Sequence, residues 1–423
     1  MEKERLLYKY YLFLMVVLCT WISTVSAPPT PIRLLFLIAL IGPTFNNNQF
    51  VVPVLLCFTS VASYGFSCSY MPTELYYYLF IVMSLFLLNI KKSSRTQKPP
   101  IILVIFCIYV IFLDCVAGVR LENIDYTLLI IILSFFFVSL DGHEKEMYFL
   151  SFVMVSIVLC IFYFTYGQSN IEISEDGRVE WVDSNYMGNV CGMGVVLAYN
   201  AIINNYFSDK KKYSRICLIA VIAGVIMLIL NASRGAFLSM SVAIVVVTMF
   251  AKIPLKRKVL VSAVVIIGVI SLYHYGVFEV LEERIASDDG TGNARTLIWA
   301  AKLDAFLELP LYQQFVGLGY RGGFELAIPG GYGFHNDYLA FIVNYGYIGF
   351  TLFMSLLLYP INIVRRQSSS KPIVISMILF LLTCSATLEP FSAGRLAYWY
   401  FYMVIVLFAR WSINNPEYIV SRE

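Results

Sequence analysis

The sequence predicts an all-α fold: a polytopic bundle of about 12–14 transmembrane helices, with one large outer loop built of short helices. Three observations predict it. Hydrophobic residues make up 59% of the 423-residue chain and charged residues only 13%, where a soluble domain carries about 25% charged residues. The charges gather in short polar islands between apolar runs of about 17–25 residues, the length that crosses a bilayer. Runs such as 101–119 and 216–230 are apolar on every face. Barrel strands would alternate, and lipid offers a backbone no hydrogen-bond partners, so the spans are helices.

In chain order the apolar runs place spans at 8–26, 33–46, 50–64, 75–90, 101–119, 127–140, 147–166, 187–207, 215–231, 235–251, 259–276, 334–358, 372–388 and 395–412. The first follows Lys3, Arg5 and Lys9 and ends near Val25-Ser26-Ala27, a pattern that a cleaved signal peptide shares. An uncleaved first span keeps the topology consistent. The second and third are short and interrupted near Pro43 and Pro53, and read as a re-entrant or broken pair. With or without that pair the count is even, so both termini share a side.

The positive-inside rule makes that side the cytoplasm. Cytoplasmic segments then hold most of the chain's 30 basic residues, in clusters such as Lys91, Lys92, Arg95 and Lys98, or Lys210, Lys211, Lys212 and Arg215. The outer set is Arg33, Arg120, Arg178, Arg234, Arg284, Arg295, Lys302, Arg321 and Arg395. It is nearly all arginine, the side chain that grips phosphate with two parallel hydrogen bonds. The net charge of +3 is small and gives no reason to expect a nucleic-acid partner. Of the nine cysteines only Cys68 looks loop-borne, and no paired-spacing motif occurs, so they read as small apolar fillers.

Two outer loops are long. Residues 167–186 are acidic, with Glu172, Glu175, Asp176, Glu180 and Asp183. Residues 277–333 form the large polar loop. It opens on a charged stretch from Glu279 to Arg284 and turns at Asp288–Asn293. An amphipathic segment from Ala294 to Leu309 follows, stopped by Pro310. The loop closes in Gly317-Leu318-Gly319-Tyr320-Arg321-Gly322-Gly323, which reads as a flexible lid. No internal repeat, linker or soluble domain is evident.

Three constellations can carry chemistry. Asn231-Ala232-Ser233-Arg234-Gly235-Ala236 interrupts an apolar stretch too long for one span, so the chain turns at Arg234. That arginine either snorkels to the headgroups or binds a phosphate at the membrane surface. Asn293-Ala294-Arg295-Thr296 stands at the start of the loop helix, where free backbone N–H groups favour anions; a solvated loop arginine is the plainer alternative. His335-Asn336-Asp337-Tyr338 marks the return to the membrane. Among the three histidines, His335 is the one placed to take a proton from a hydroxyl; a helix-start histidine satisfied by backbone is the alternative. No second histidine is near enough in sequence to suggest a metal site. Two anion-binding groups and one base are the minimum for attacking a carbon whose leaving group is a pyrophosphate. Electrostatic stabilisation of the departing charge is usually what contributes most to such catalysis.

Taken in order, Asp183-Ser184-Asn185, Ser233-Arg234-Gly235-Ala236, Asn293-Ala294-Arg295 with Trp299, Pro310, Gly317-Leu318-Gly319, and His335-Asn336-Asp337-Tyr338-Leu339 with Gly346 and Gly349 resemble the bacterial O-antigen polymerase and O-antigen ligase family. The resemblance covers about residues 183–350. It implies a glycosyltransferase of type C-like architecture in the bacterial inner membrane that needs no metal or other cofactor. It also implies undecaprenyl-pyrophosphate-linked oligosaccharides as donor and acceptor, and a chain-length regulator in the same membrane as a partner. By carry-over Arg234 and Arg295 contact the donor pyrophosphate and His335 activates the acceptor hydroxyl at the periplasmic face. Arg321, Asn336, Asn293 and Asn185 are further candidates for substrate contact. Asn344 departs from the family, which often has Glu there. Polymerase and ligase stay open as activities, with polymerase preferred. A flippase for lipid-linked sugars is the alternative of another class. It is disfavoured because Asp114 is the one clear intramembrane acid and the two halves of the chain do not resemble each other.

Overall fold

The structure is a computed structural model describing residues 100–118, 184–204, 211–231, 233–251, 295–328, 333–366, 370–392 and 396–414, with shorter pieces between 150 and 180 and at 253–259. The predicted spans before residue 100 and at 127–140 and 259–276 lie outside the described residues, as does the loop opening with Asn293.

The described elements are α1 (Ile101–Val116), the two-residue strands β1 (Glu172–Ile173) and β2 (Val179–Glu180), α2 (Ser184–Ile203), α3 (Lys211–Asn231), α4 (Arg234–Phe250), α5 (Arg295–Leu307), α6 (Leu311–Val316), α7 (Asp337–Ile363), α8 (Lys371–Thr387) and α9 (Leu396–Asn414). Apart from the antiparallel β1–β2 ladder in the acidic loop, the described chain is helical, as expected. Three helices, 185–203, 211–231 and 337–363, are long and apolar enough to cross a membrane.

The helix surfaces explain that composition. On α1, Ile101, Ile105, Ile108, Phe112 and Val116 are exposed, at helical spacing, while Leu103, Phe106, Cys107, Val110 and Leu113 on the other side are buried. A helix apolar on both faces belongs in a core or in lipid. The outward stripe is the part that hydrocarbon covers, and α3 repeats it with Leu218, Ile219 and Ile222. These surfaces mark a membrane protein.

Helix α2 is the hub of the bundle, packed by α3, α4 and α8. Small residues let backbones approach: Gly188 faces the side chains of Ser233 and Ala236, and Gly192 faces the Phe380 ring. Without a hydrophobic drive between helices in lipid, such close contacts and a few buried polar pairs hold a bundle. One pair is Asn200 with Ser376, at 3.1 Å.

Helix α7 is broken. Gly346 has φ 67 and ψ −177. Residues 341 and 353 would sit about 18 Å apart along a straight helix, yet their phenylalanine rings stack at 4.0 Å. The short half, 337–345, therefore folds steeply against the spanning half, 347–363. A break leaves carbonyls of the preceding turn without helical partners. Here Leu318 N donates to Val343 O at 3.2 Å and Gly319 N to Asn344 O at 2.7 Å, and the Tyr109 hydroxyl donates to Tyr345 O at 3.0 Å.

The glycine-rich tract thus corrects the sequence expectation of a flexible lid. It is a plug seated in the α7 break. Gly317 and Gly346 face each other backbone to backbone, both at positive φ, so a Cβ on either would collide with the other's main chain. The Asp114 carboxylate accepts from Tyr320 N at 2.8 Å, tying the tract to α1. Asn344 accepts from Gly323 N at 3.0 Å and secures the tract's far end.

Candidate functional site

The C-terminal end of α8 is where the candidate residues meet. The last carbonyls of a helix lack intrahelical partners and carry its negative dipole end. On α8 three of these groups are taken by other segments. Arg295, the first residue of α5, donates from Nη1 to Thr387 O at 2.9 Å. Asn336 donates from Nδ2 to Ala386 O at 3.3 Å. Asp337 N donates to Leu388 O at 3.0 Å. A cation at such an end gains about 0.3–1 kcal/mol from the dipole alone.

The α4 start packs against the same residue. Thr387 Oγ1 lies 2.7 Å from where a Cβ on Gly235 would stand, so Arg234 begins its helix beside the carbonyl that holds Arg295. Ser233 is the N-cap, and its hydroxyl donates to Asn185 Oδ1 at 3.3 Å. Asn185 therefore supports the turn that carries Arg234. Both arginines are half-buried.

His335 lies just before α7 with φ 49, a left-handed conformation uncommon outside glycine. Such backbone persists where the surroundings enforce it. Asn336 caps α7 by accepting from Leu339 N at 3.2 Å. Asp337 is fully buried; its carboxylate accepts from Ser385 Oγ at 3.0 Å, Phe391 N at 3.1 Å and Ser392 N at 2.8 Å. It folds the turn after α8 back onto the start of α7.

That turn carries Glu389, which sequence reasoning missed. Its carboxylate accepts from Phe334 N at 3.3 Å and from the His335 backbone N–H. A Cβ on Gly333 would touch Glu389 Oε1 and lie 3.9 Å from His335 Nε2, so acid and imidazole share one small space. Burial pushes the Glu389 carboxyl above its ordinary value. The two backbone donors and the charges of Lys302 and Arg321 pull the other way. No motif surrounds Glu389. The available signal was its position, a lone acid at the C-terminal end of an apolar run.

Lys302 underlies the site. Its side chain is 1% exposed. The ammonium donates to Gly323 O at 2.6 Å and Phe324 O at 2.8 Å and sits 4.5 Å from the centre of the Phe334 ring. Burial lowers its pKa, and Glu389 opposes that shift. Trp299, on the same face of α5, donates from Nε1 to Phe334 O at 2.6 Å. Arg321 is exposed, with its guanidinium beside Tyr320 and Phe324.

The arrangement thus gathers two arginines, a histidine and a half-buried acid at one helix end. Residues 219–354 match the O-antigen ligase family. The match covers a segment of the chain and supports a likeness to the O-antigen ligase/polymerase family. No curated protein matches the chain. The family segment contains Arg234, Arg295 and His335 but stops before Thr387 and Glu389, and it begins after Tyr109, Asp114 and Asn185. Members of the O-antigen ligase/polymerase family are glycosyltransferase-like enzymes. In this chain the site is completed by residues on both sides of the matched segment.

Proposed function

We propose that this protein is a polysaccharide polymerase of the bacterial inner membrane. It transfers a growing glycan from undecaprenyl pyrophosphate onto a lipid-linked repeat unit at the periplasmic face. The observation that carries the reading is the convergence of Arg234, Arg295, His335 and Glu389 on the outer end of α8. In this mechanism His335 takes the proton of the acceptor hydroxyl. The freed oxygen attacks the anomeric carbon while the bond to pyrophosphate breaks, and the leaving group departs with the electron pair. Attack from the face opposite the leaving group inverts the carbon. Arg234 and Arg295 hold the departing charge, and Glu389 stabilises the protonated imidazole. The product is a glycan one repeat longer plus free undecaprenyl pyrophosphate.

The family match supports a second reading, a ligase that moves the finished glycan onto lipid A core. Glycan profiling of a deletion strain separates the two. Single repeats on lipid A core mark a lost polymerase; long chains left on undecaprenyl pyrophosphate mark a lost ligase. Absence of lipid-linked material from the periplasm would overturn both in favour of a flippase.

A further inference from the structure

The outer segment has an inside-out helix. On α6 the two glutamines, Gln313 and Gln314, are partly buried, and Gln314 Nε2 donates to Leu307 O at 2.9 Å and Leu309 O at 2.8 Å, closing the end of α5. The apolar residues point the other way: Leu311 is 68% and Tyr312 67% exposed, with Phe315 and Val316 beside them. A surface helix in water turns its polar face outward and its apolar face in. The reverse pattern suits an apolar solvent. Helix α5 leads into it with Leu303 and Leu307 exposed on one edge and Asp304 and Glu308 on the adjoining edge. Its opposite face is occupied by Arg295, Trp299, Lys302 and Phe306.

This face continues without a step into the lipid-facing surface of the spans. The Phe315 ring meets Tyr347 edge-on at 5.7 Å, and Tyr347 and Ile348 are exposed at the start of the spanning half of α7. Val316 O accepts from the Tyr109 hydroxyl of α1, at 2.8 Å, and α1 shows its own outward stripe of Ile108, Phe112 and Val116. Tyrosines and other aromatics at that level are what a membrane interface selects.

We infer that the outward face of α6 and the adjoining edge of α5, through Leu303, Leu307, Leu311, Tyr312 and Phe315, lie in the acyl region of the outer leaflet. The loop is then a re-entrant element immersed in bilayer lipid, and Asp304 and Glu308 mark its water line. The inference does not depend on which reaction the site performs.

The test puts the full-length protein, carrying Leu311→Trp or Phe315→Trp, in phosphatidylcholine vesicles with brominated acyl chains. The fluorescence added by each new tryptophan falls at least two-fold relative to unbrominated vesicles, and aqueous acrylamide leaves it nearly unchanged. Asp304→Trp behaves oppositely. Quenching of Leu311→Trp and Phe315→Trp by acrylamide alone would overturn the inference, because the face is then in water. Insensitivity to both quenchers would overturn it too, because the face is then covered by protein. Unmodified protein supplies a second reading: an apolar carbene precursor dissolved in the bilayer gives adducts in 311–316 at the level seen on α1. Adducts on α1 with none in 311–316 would be equally fatal.

Discussion

The α2–α4–α8 bundle and the 295–345 segment are held together by different chemistry. In the bundle, contact is side chain against side chain: Gly188 admits Ser233 and Ala236, Gly192 admits Phe380, and polar pairs such as Asn200 with Ser376 are few. In the 295–345 segment the partners are main-chain groups of distant residues: Arg295 on Thr387 O, Trp299 on Phe334 O, Lys302 on Gly323 O, Gly319 on Asn344 O. Side-chain packing tolerates exchange of one small residue for another. Backbone carbonyls offer no such substitute, because they cannot be mutated and the donor must come to them. The 295–345 segment is therefore the more exacting of the two regions, although in sequence it looks the looser.

Replacing the chemistry-bearing residues is expected to give the largest effect. His335→Ala, Arg234→Ala and Arg295→Ala each remove long-chain glycan, a loss of at least about 100-fold for a general base or a transition-state donor, while membrane fractions still contain the protein. Normal chain lengths in all three would sink the enzyme reading. Next comes Gly346→Ala against Gly188→Ala. The first places an L side chain at φ 67 and ψ −177, costing about 1–3 kcal/mol from the backbone alone, and drives its Cβ into the main chain of 315–317. The second meets side-chain atoms instead: Ser233 Cβ and Oγ, at 2.9 and 3.3 Å, and Ala236 Cβ, at 3.0 Å. Thermal unfolding in detergent reads both, and the Gly346 variant should lose the more; equal losses would erase the distinction between the regions. Smallest is Lys302→Met against Ser376→Ala. Losing a charged donor to two carbonyls costs about 1.5–3 kcal/mol, and losing a neutral pair about 0.5–1.5 kcal/mol. Lys302→Met should also lower glycan output by shifting the Phe334–His335 backbone, whereas Ser376→Ala leaves output unchanged.

Much of the bundle was legible beforehand. The runs at 101–119, 187–207, 215–231, 235–251 and 372–388 agree with the described helices to within a few residues, because a span's length and apolarity are local properties. The turn at Arg234 and the helix starts at Arg295 and His335 were legible for the same reason. The α7 break was not, since Gly346 reads like any glycine in an apolar run until Gly317 is set against it. Glu389 and Lys302 escaped as well. Each owes its place to contacts far along the chain, 54 residues separating Glu389 from His335. The glycine tract misled for a related reason: glycine signals freedom where a chain is unpartnered and close approach where it is packed, and only the fold distinguishes the two.

The position of α8 carries a consequence for biogenesis. Chains enter the membrane from the N-terminus as they are made, so Arg234, Arg295 and His335 emerge before the helix end that gathers them. Until residues 385–392 have been delivered, Arg295 lacks its carbonyl, Asp337 lacks its turn and the His335 backbone lacks Glu389. On the proposed function, the unfinished protein has no assembled site, and activity switches on only when the second-last described helix is in place.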